Sequence, residues 1–149
     1  MLIAKSGAFV KPILLALGVA LVAAALPARA ATVEVSVSNI REARGHIHVE
    51  LCPERLFLGD CTILGEAPAQ VGTTIVQILN VPPGVYAAQA YQDENDNHKV
   101  DRGLFGVPRE GVGFSRDAKL YRHGPRFDEA AFRVTRAIER IALRLRHFL

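Results

Sequence analysis

From Thr32 onward, apolar and polar residues alternate with period two, the signature of strands with one buried and one solvated face. Thr32–Asn39 sets Val33, Val35 and Val37 against Thr32, Glu34, Ser36 and Ser38. Gly45–Cys52 sets Ile47, Val49 and Leu51 against His46, His48 and Glu50. Thr74–Val81 places Val76 and Ile78 on one face. Val85–Gln92 follows Pro82-Pro83-Gly84, a turn in which proline fixes φ and glycine supplies freedom. A short strand is expected over Ala131–Thr135 and a long one over Ile138–Phe148, where Ile141, Leu143 and Leu145 oppose Arg140, Arg144 and Arg146. The Ala, Glu and Arg content of Asp128–Arg146 would also suit a helix, but the strict alternation across Ile141–Arg146 argues for strand there. About six short strands without regular intervening helices predict an all-β fold, a single antiparallel β-sandwich. One long stretch breaks the pattern, Asp93 to Phe127, rich in Asp, Asn, Gly and Pro. A loop of that length in a compact domain is usually functional or organised by something.

Composition matters chiefly at the start of the chain. The formal net charge of +3 and the pI near 9.1 suggest a partner of opposite charge, such as nucleic acid. Lys5, Lys11 and Arg29 account for the whole excess, because residues 1–30 contain no acid. Ile13–Leu26 is a continuous apolar run, Pro27 ends it, and Ala28-Arg29-Ala30 offers the small-x-small pattern of a signal-peptidase site. Residues 1–30 are therefore expected to be a secretory signal and residues 31–149 one charge-balanced domain. The apolar run is shorter than the roughly twenty residues that span a bilayer, so no membrane span is expected after cleavage. The expected location is periplasmic or secreted, with no nucleic-acid partner.

Export changes the meaning of Cys52 and Cys61, the only two cysteines. An oxidising compartment lets them join. Redox-active pairs usually sit as C-x-x-C, and this wider spacing favours a structural staple over a short loop.

The sharpest motif is Asp93-Glu94-Asn95-Asp96-Asn97-His98-Lys99-Val100-Asp101. Asp93, Asn95, Asn97 and Asp101 occupy relative positions 1, 3, 5 and 9, and the Lys99 carbonyl falls at position 7. A loop that curls around Ca²⁺ needs this alternation, since every second side chain turns inward. Two positions depart from that pattern: His98 stands where a sharp turn wants glycine, and Leu104 where a bidentate acid usually sits. Glu110 is the nearest further acid. The alternative is an Asx-rich turn held by its own hydrogen bonds.

These residues, followed by Gly106-Val107-Pro108-x-Glu110-Gly111-x-Gly113-Phe114-Ser115 and Gly124-Pro125-x-Phe127-Asp128-x-Ala130, resemble an exported bacterial family, domain of unknown function 2141. Val81-Pro82-Pro83-Gly84-x-Tyr86-Ala87 fits it too, and the resemblance runs over Ala31–Phe148. It implies a prealbumin-like or immunoglobulin-like sandwich and no assigned activity. His98 stands where the family usually has glycine, and Gln92 where it often has histidine. Within this stretch, Phe105, Phe114 and Phe127 are candidates to plug the long loop onto the sandwich. Tyr86 resembles the sandwich tyrosine whose phenol bonds backbone across a corner.

The most enzyme-like constellation is His46-x-His48-x-Glu50, which shares one strand face at about 6.5 Å spacing and could bind zinc or copper. A solvated outer face explains it without a metal, and a metal would need a further ligand. His98 or His123 could supply one if the long loop folded over that face. Ser115 has no readable base or oxyanion partner. Asp93, Asp96, Asp101 and Glu110 could form a glycosidase pair only at a separation the sequence does not show. Arg133, Arg136, Arg140, Arg144 and Arg146 suit a solvated face or edge protection. The function expected is a non-enzymatic binding or structural module of the bacterial envelope, with an envelope protein, glycan or lipid as partner and Ca²⁺ as a candidate ion. The alternative is a metal-dependent periplasmic enzyme using His46 and His48.

Overall fold

The computed structural model describes residues 29–148. The leader expected over Met1–Ala30 lies, up to Ala28, outside the described residues.

The alternating segments become β1 (Ala31–Ile40), β2 (His46–Cys52), β4 (Gly72–Val81), β5 (Gly84–Asp93), β7 (Ala131–Val134) and β8 (Ile138–Arg144). Two further strands, β3 (Ile63–Pro68) and β6 (Val112–Phe114), carry no readable alternation in the sequence. The fold is all-β, with two sheets. The first has the order β4-β1-β8; the second runs β3-β2-β5-β6, with β7 also pairing with β5. β6 and β7 share one edge of β5, at Gln89–Tyr91 and Gly84–Ala87 respectively.

Two expectations need correction. The sheets are not wholly antiparallel: β1 and β8 run parallel, from Thr32 opposite Ile138 to Ser38 opposite Arg144. Period two is the same in both pairings, so the pattern could not distinguish them. Nor is Asp93–Phe127 one long loop. It holds 3-10 turns at Leu104–Gly106 and Ser115–Asp117 as well as β6, and a single helical turn, α1 (Phe127–Ala130), follows. No helix among the described residues is long and apolar enough to cross a membrane.

The two sheets bury their facing sides in one core. Val33, Val35 and Val37 of β1 and Val76 and Ile78 of β4 meet Ile47, Val49 and Leu51 of β2 and Ala88 and Ala90 of β5. Leu143 and Leu145 complete it, as their alternation predicted. Tyr86 joins the core while its hydroxyl donates to the Pro82 carbonyl at 3.0 Å, the corner bond expected of it.

A second, smaller apolar cluster lies on the other side of the second sheet. There Phe57, Phe114 and Phe127 pack around Ala87, Ala118 and Ala130, with ring centroids 5.6–6.0 Å apart and edges against faces. Phe114 and Phe127 therefore pin the segment after β5 to the sheet. Phe105, expected to do the same, is fully exposed at φ +61° on the tip of a 3-10 turn.

Candidate functional site

The outward side of the second sheet owes its composition to strand register. Pairing of β2 with β5 sets His46 opposite Asp93, His48 opposite Tyr91 and Glu50 opposite Gln89. Pairing of β2 with β3 sets His48 opposite Glu66. The chain following Asp93 folds back across this face and buries His48, which alternation alone would leave in water. Gly45 permits the close fit at one end: it has φ +66°, and a side chain there would collide with the Asp93 carbonyl.

The acidic segment is organised by its own hydrogen bonds. The fully buried Asp93 accepts the backbone N–H of Asn97 at 3.0 Å on Oδ1 and that of His98 at 2.7 Å on Oδ2. Asp101 accepts the side-chain amides of Asn95 and Asn97 at 2.8 and 2.9 Å. The Lys99 N–H donates to Asn97 Oδ1 at 3.1 Å. Glu110 closes the arch, accepting the N–H groups of Glu94 and Asp101 at 3.0 and 2.9 Å. Burial pushes the Glu110 carboxyl up, the two N–H bonds oppose that, and the Asp101 and Asp93 charges reinforce it. Of the five residues expected to ligate Ca²⁺, the structure brings Asn95, Asn97 and Asp101 side chains together and turns Asp93 onto backbone. His98 takes the left-handed conformation, φ +58°, that glycine would supply at position 6.

The histidines separate in role. The exposed His46 is tied through Nδ1 to Asp96 Oδ1 at 2.7 Å, and this bond raises its pKa above the ordinary value. His48 stacks on Tyr91, with centroids 5.1 Å apart and planes 10° from parallel. The Tyr91 hydroxyl is pushed up to about 12, first by burial and then by the charges of Asp93, Glu50 and Glu110. Among the described residues, His48, Asp93 and His98 form a cluster able to hold an ion, and His46 stands outside it. Glu50, the third member of the sequence constellation, instead accepts Gln89 Nε2 at 2.6 Å.

Other candidates resolve as architecture. Cys52 and Cys61 are disulfide-bonded, with Cα atoms 5.4 Å apart. Gln89 fastens the loop between them, accepting Leu58 N–H and donating to the Gly59 carbonyl. Ser115 is fully buried; its hydroxyl donates to the Ala130 carbonyl at 2.6 Å and accepts the Ala88 N–H at 2.8 Å. Gln92, also buried, donates to the carbonyls of Glu42 and Arg44 and so anchors the connection between β1 and β2.

Between the aromatic cluster and the acidic arch lies an open cleft of about 730 Å³. Tyr91, Phe105, Phe114 and Tyr121 give it aromatic walls, and Glu50, Gln89, His98, Arg102 and His123 give it polar groups. Its volume falls within the range of small-ligand sites. Sequence reasoning missed Tyr91 and Gln89. Their signal was present, since they alternate with Ala88 and Ala90 on the same strand as Asp93.

No curated protein and no solved structure matches the chain. A family model described as "Uncharacterized protein conserved in bacteria (DUF2141)" matches residues 35–142, from the middle of β1 to near the end of β8. With that match spanning both sheets and the arch over the second, the chain belongs to this bacterial family.

Proposed function

We propose that the protein is an exported, non-enzymatic binding module of the bacterial envelope whose cleft over the second sheet takes a glycan. The cleft itself is the observation that carries this reading. Aromatic faces at Tyr91, Phe105 and Tyr121 suit the C–H faces of sugar rings. The carboxylate, guanidinium and imidazole groups of Glu50, Arg102 and His123 suit hydroxyls. The leader-like residues 1–30 and the Cys52–Cys61 disulfide support an oxidising compartment outside the cytoplasm. Protein secreted by its own leader is expected to retain envelope polysaccharide fragments on a glycan array. A Phe105→Ala, Tyr121→Ala double variant is expected to lose that retention while keeping its circular dichroism spectrum. A blank array, or retention unchanged in the double variant, overturns the reading.

A second reading, that Ca²⁺ orders the acidic arch, is favoured by the backbone. Asp93 caps the N–H groups at positions 5 and 6, and His98 adopts the turn conformation a cation loop requires there. In this reading Asp93, Asn95, Asn97, the Lys99 carbonyl and Asp101 are the ligands. Millimolar Ca²⁺ should raise the thermal midpoint, and a calcium-selective chelator should reverse the rise, because ligand binding stabilises only the folded state. No shift, or an equal shift in Asp101→Ala, excludes it.

A further inference from the structure

Among the described residues, one buried side-chain polar atom lacks a hydrogen-bond partner: Nε2 of His48. Leaving such an atom unpaired is costly, and functional sites are a common reason for it. The His48 ring is held firmly all the same, stacked on Tyr91. Its Nε2 lies 3.6 Å from Asp93 Oδ2, beyond hydrogen-bond reach, and 3.4 Å from Glu66 Oε2 without the alignment of a hydrogen bond. The His98 ring stands edge-on to it, centroids 5.2 Å apart. One donor atom each from His48, Asp93 and His98 lies within 4.8 Å of the other two.

We propose that His48, Asp93 and His98 bind a divalent transition-metal ion of the Zn²⁺ class. Four-coordinate zinc holds nitrogen and oxygen donors at about 2.0–2.2 Å, which puts neighbouring donors about 3.3–3.6 Å apart. The His48–Asp93 separation meets that already, and a donor atom of the exposed His98 lies within 4.8 Å of both. Two imidazoles select zinc, copper or nickel over calcium and magnesium, which take oxygen donors. Support around the set is of the kind metal ligands require. Asp93 is oriented by the Asn97 and His98 N–H groups and retains free lone pairs, and among the described residues no Lys or Arg side chain forms an ion pair with it. Three protein donors leave a fourth position, which water, a ligand or the half-exposed Glu66 can fill. His98 also lines the cleft, so an ion here would border its contents. The metal site nonetheless stands without the glycan reading, since its occupancy is measured with no glycan present.

The test is calorimetric titration of the purified, chelator-treated full domain with Zn²⁺ alone, together with Co²⁺ as a visible-absorption probe. The expected result is one ion per chain and a Co²⁺ spectrum characteristic of four-coordination. His98→Ala changes an exposed residue and should fold normally; it is expected to weaken binding at least about tenfold and abolish the Co²⁺ bands. His48→Asn is expected to do the same, and His46→Ala to leave both readouts unchanged. Equal binding by the protein and its His98→Ala variant would mean an adventitious ion only and overturn the proposal. So would the absence of stoichiometric binding.

Discussion

The two sheets have the same alternating grammar, yet their outer faces have opposite fates. The outer face of the first sheet remains in water. Glu34 there pairs with Arg140 at 2.7 Å and Gln77 at 3.3 Å, and Ile75 and Leu79 stand more than half exposed. The outer face of the second sheet is covered. An aromatic cluster seals one end, the acidic arch seals the other, and the cleft lies between. Burial on that side converts ordinary strand polar residues into a site, because a covered imidazole or carboxylate needs partners that water would otherwise supply. Period two reveals which residues share a face and is silent about whether that face is covered.

The contrast can be broken first from inside. Leu51→Ala removes a fully buried side chain from the core both sheets share and should cost about 2–5 kcal/mol in denaturant titration. A loss confined to signals from the second sheet would mean that the sheets do not form one cooperative unit. Next in size is the cover. Glu110→Ala leaves the N–H groups of Glu94 and Asp101 without their acceptor and should cost about 1–3 kcal/mol. Faster amide exchange should appear across residues 94–101 and not in β1 or β4. Smaller still, Glu34→Ala on the open face should change stability by no more than about 1 kcal/mol, as exposed ion pairs do. A loss as large as that of Glu110→Ala would erase the distinction between the faces.

The smallest effect is a titration. The Asp96 bond raises the His46 pKa, so its contribution is fully present below the ordinary imidazole value near 6.5. It is lost as pH rises through the higher folded value. NMR of the His46 ring should report a midpoint above 6.5, and Asp96→Asn should return it to the ordinary range. An unshifted midpoint in the unaltered protein would detach this end of the arch from the sheet.

Local pattern carried the inner faces well. Val33, Val35 and Val37 and Ile47, Val49 and Leu51 were placed correctly because burial of alternate residues leaves its mark on the residues themselves. Tyr86 was legible because its bond spans only four residues. β3 was not, since Gly65 and Pro68 interrupt its apolar pattern, and β6 has only three residues. The cation cluster was half legible. His48 sits on a strand whose facing was correctly read; Asp93, the last residue of β5, was assigned to the loop instead, and His98 was named as a ligand conditional on the loop folding over. Phe114 and Phe127 were expected to plug the segment onto the sandwich; Phe57, the ring they both pack against, was not. His46 looked equivalent to His48 because the difference between them is the chain lying on top.

The parallel pairing of β1 with β8 has a consequence for the order of events during folding. β1 is the middle strand of its sheet, and residue 35 finds residue 141 beside it. β1 therefore waits for β8, and the closure it needs has the high sequence separation that slows folding. A chain in which β8 has not yet paired leaves one edge of β1 open. The first sheet is therefore completed late, once residues 138–144 have joined β1.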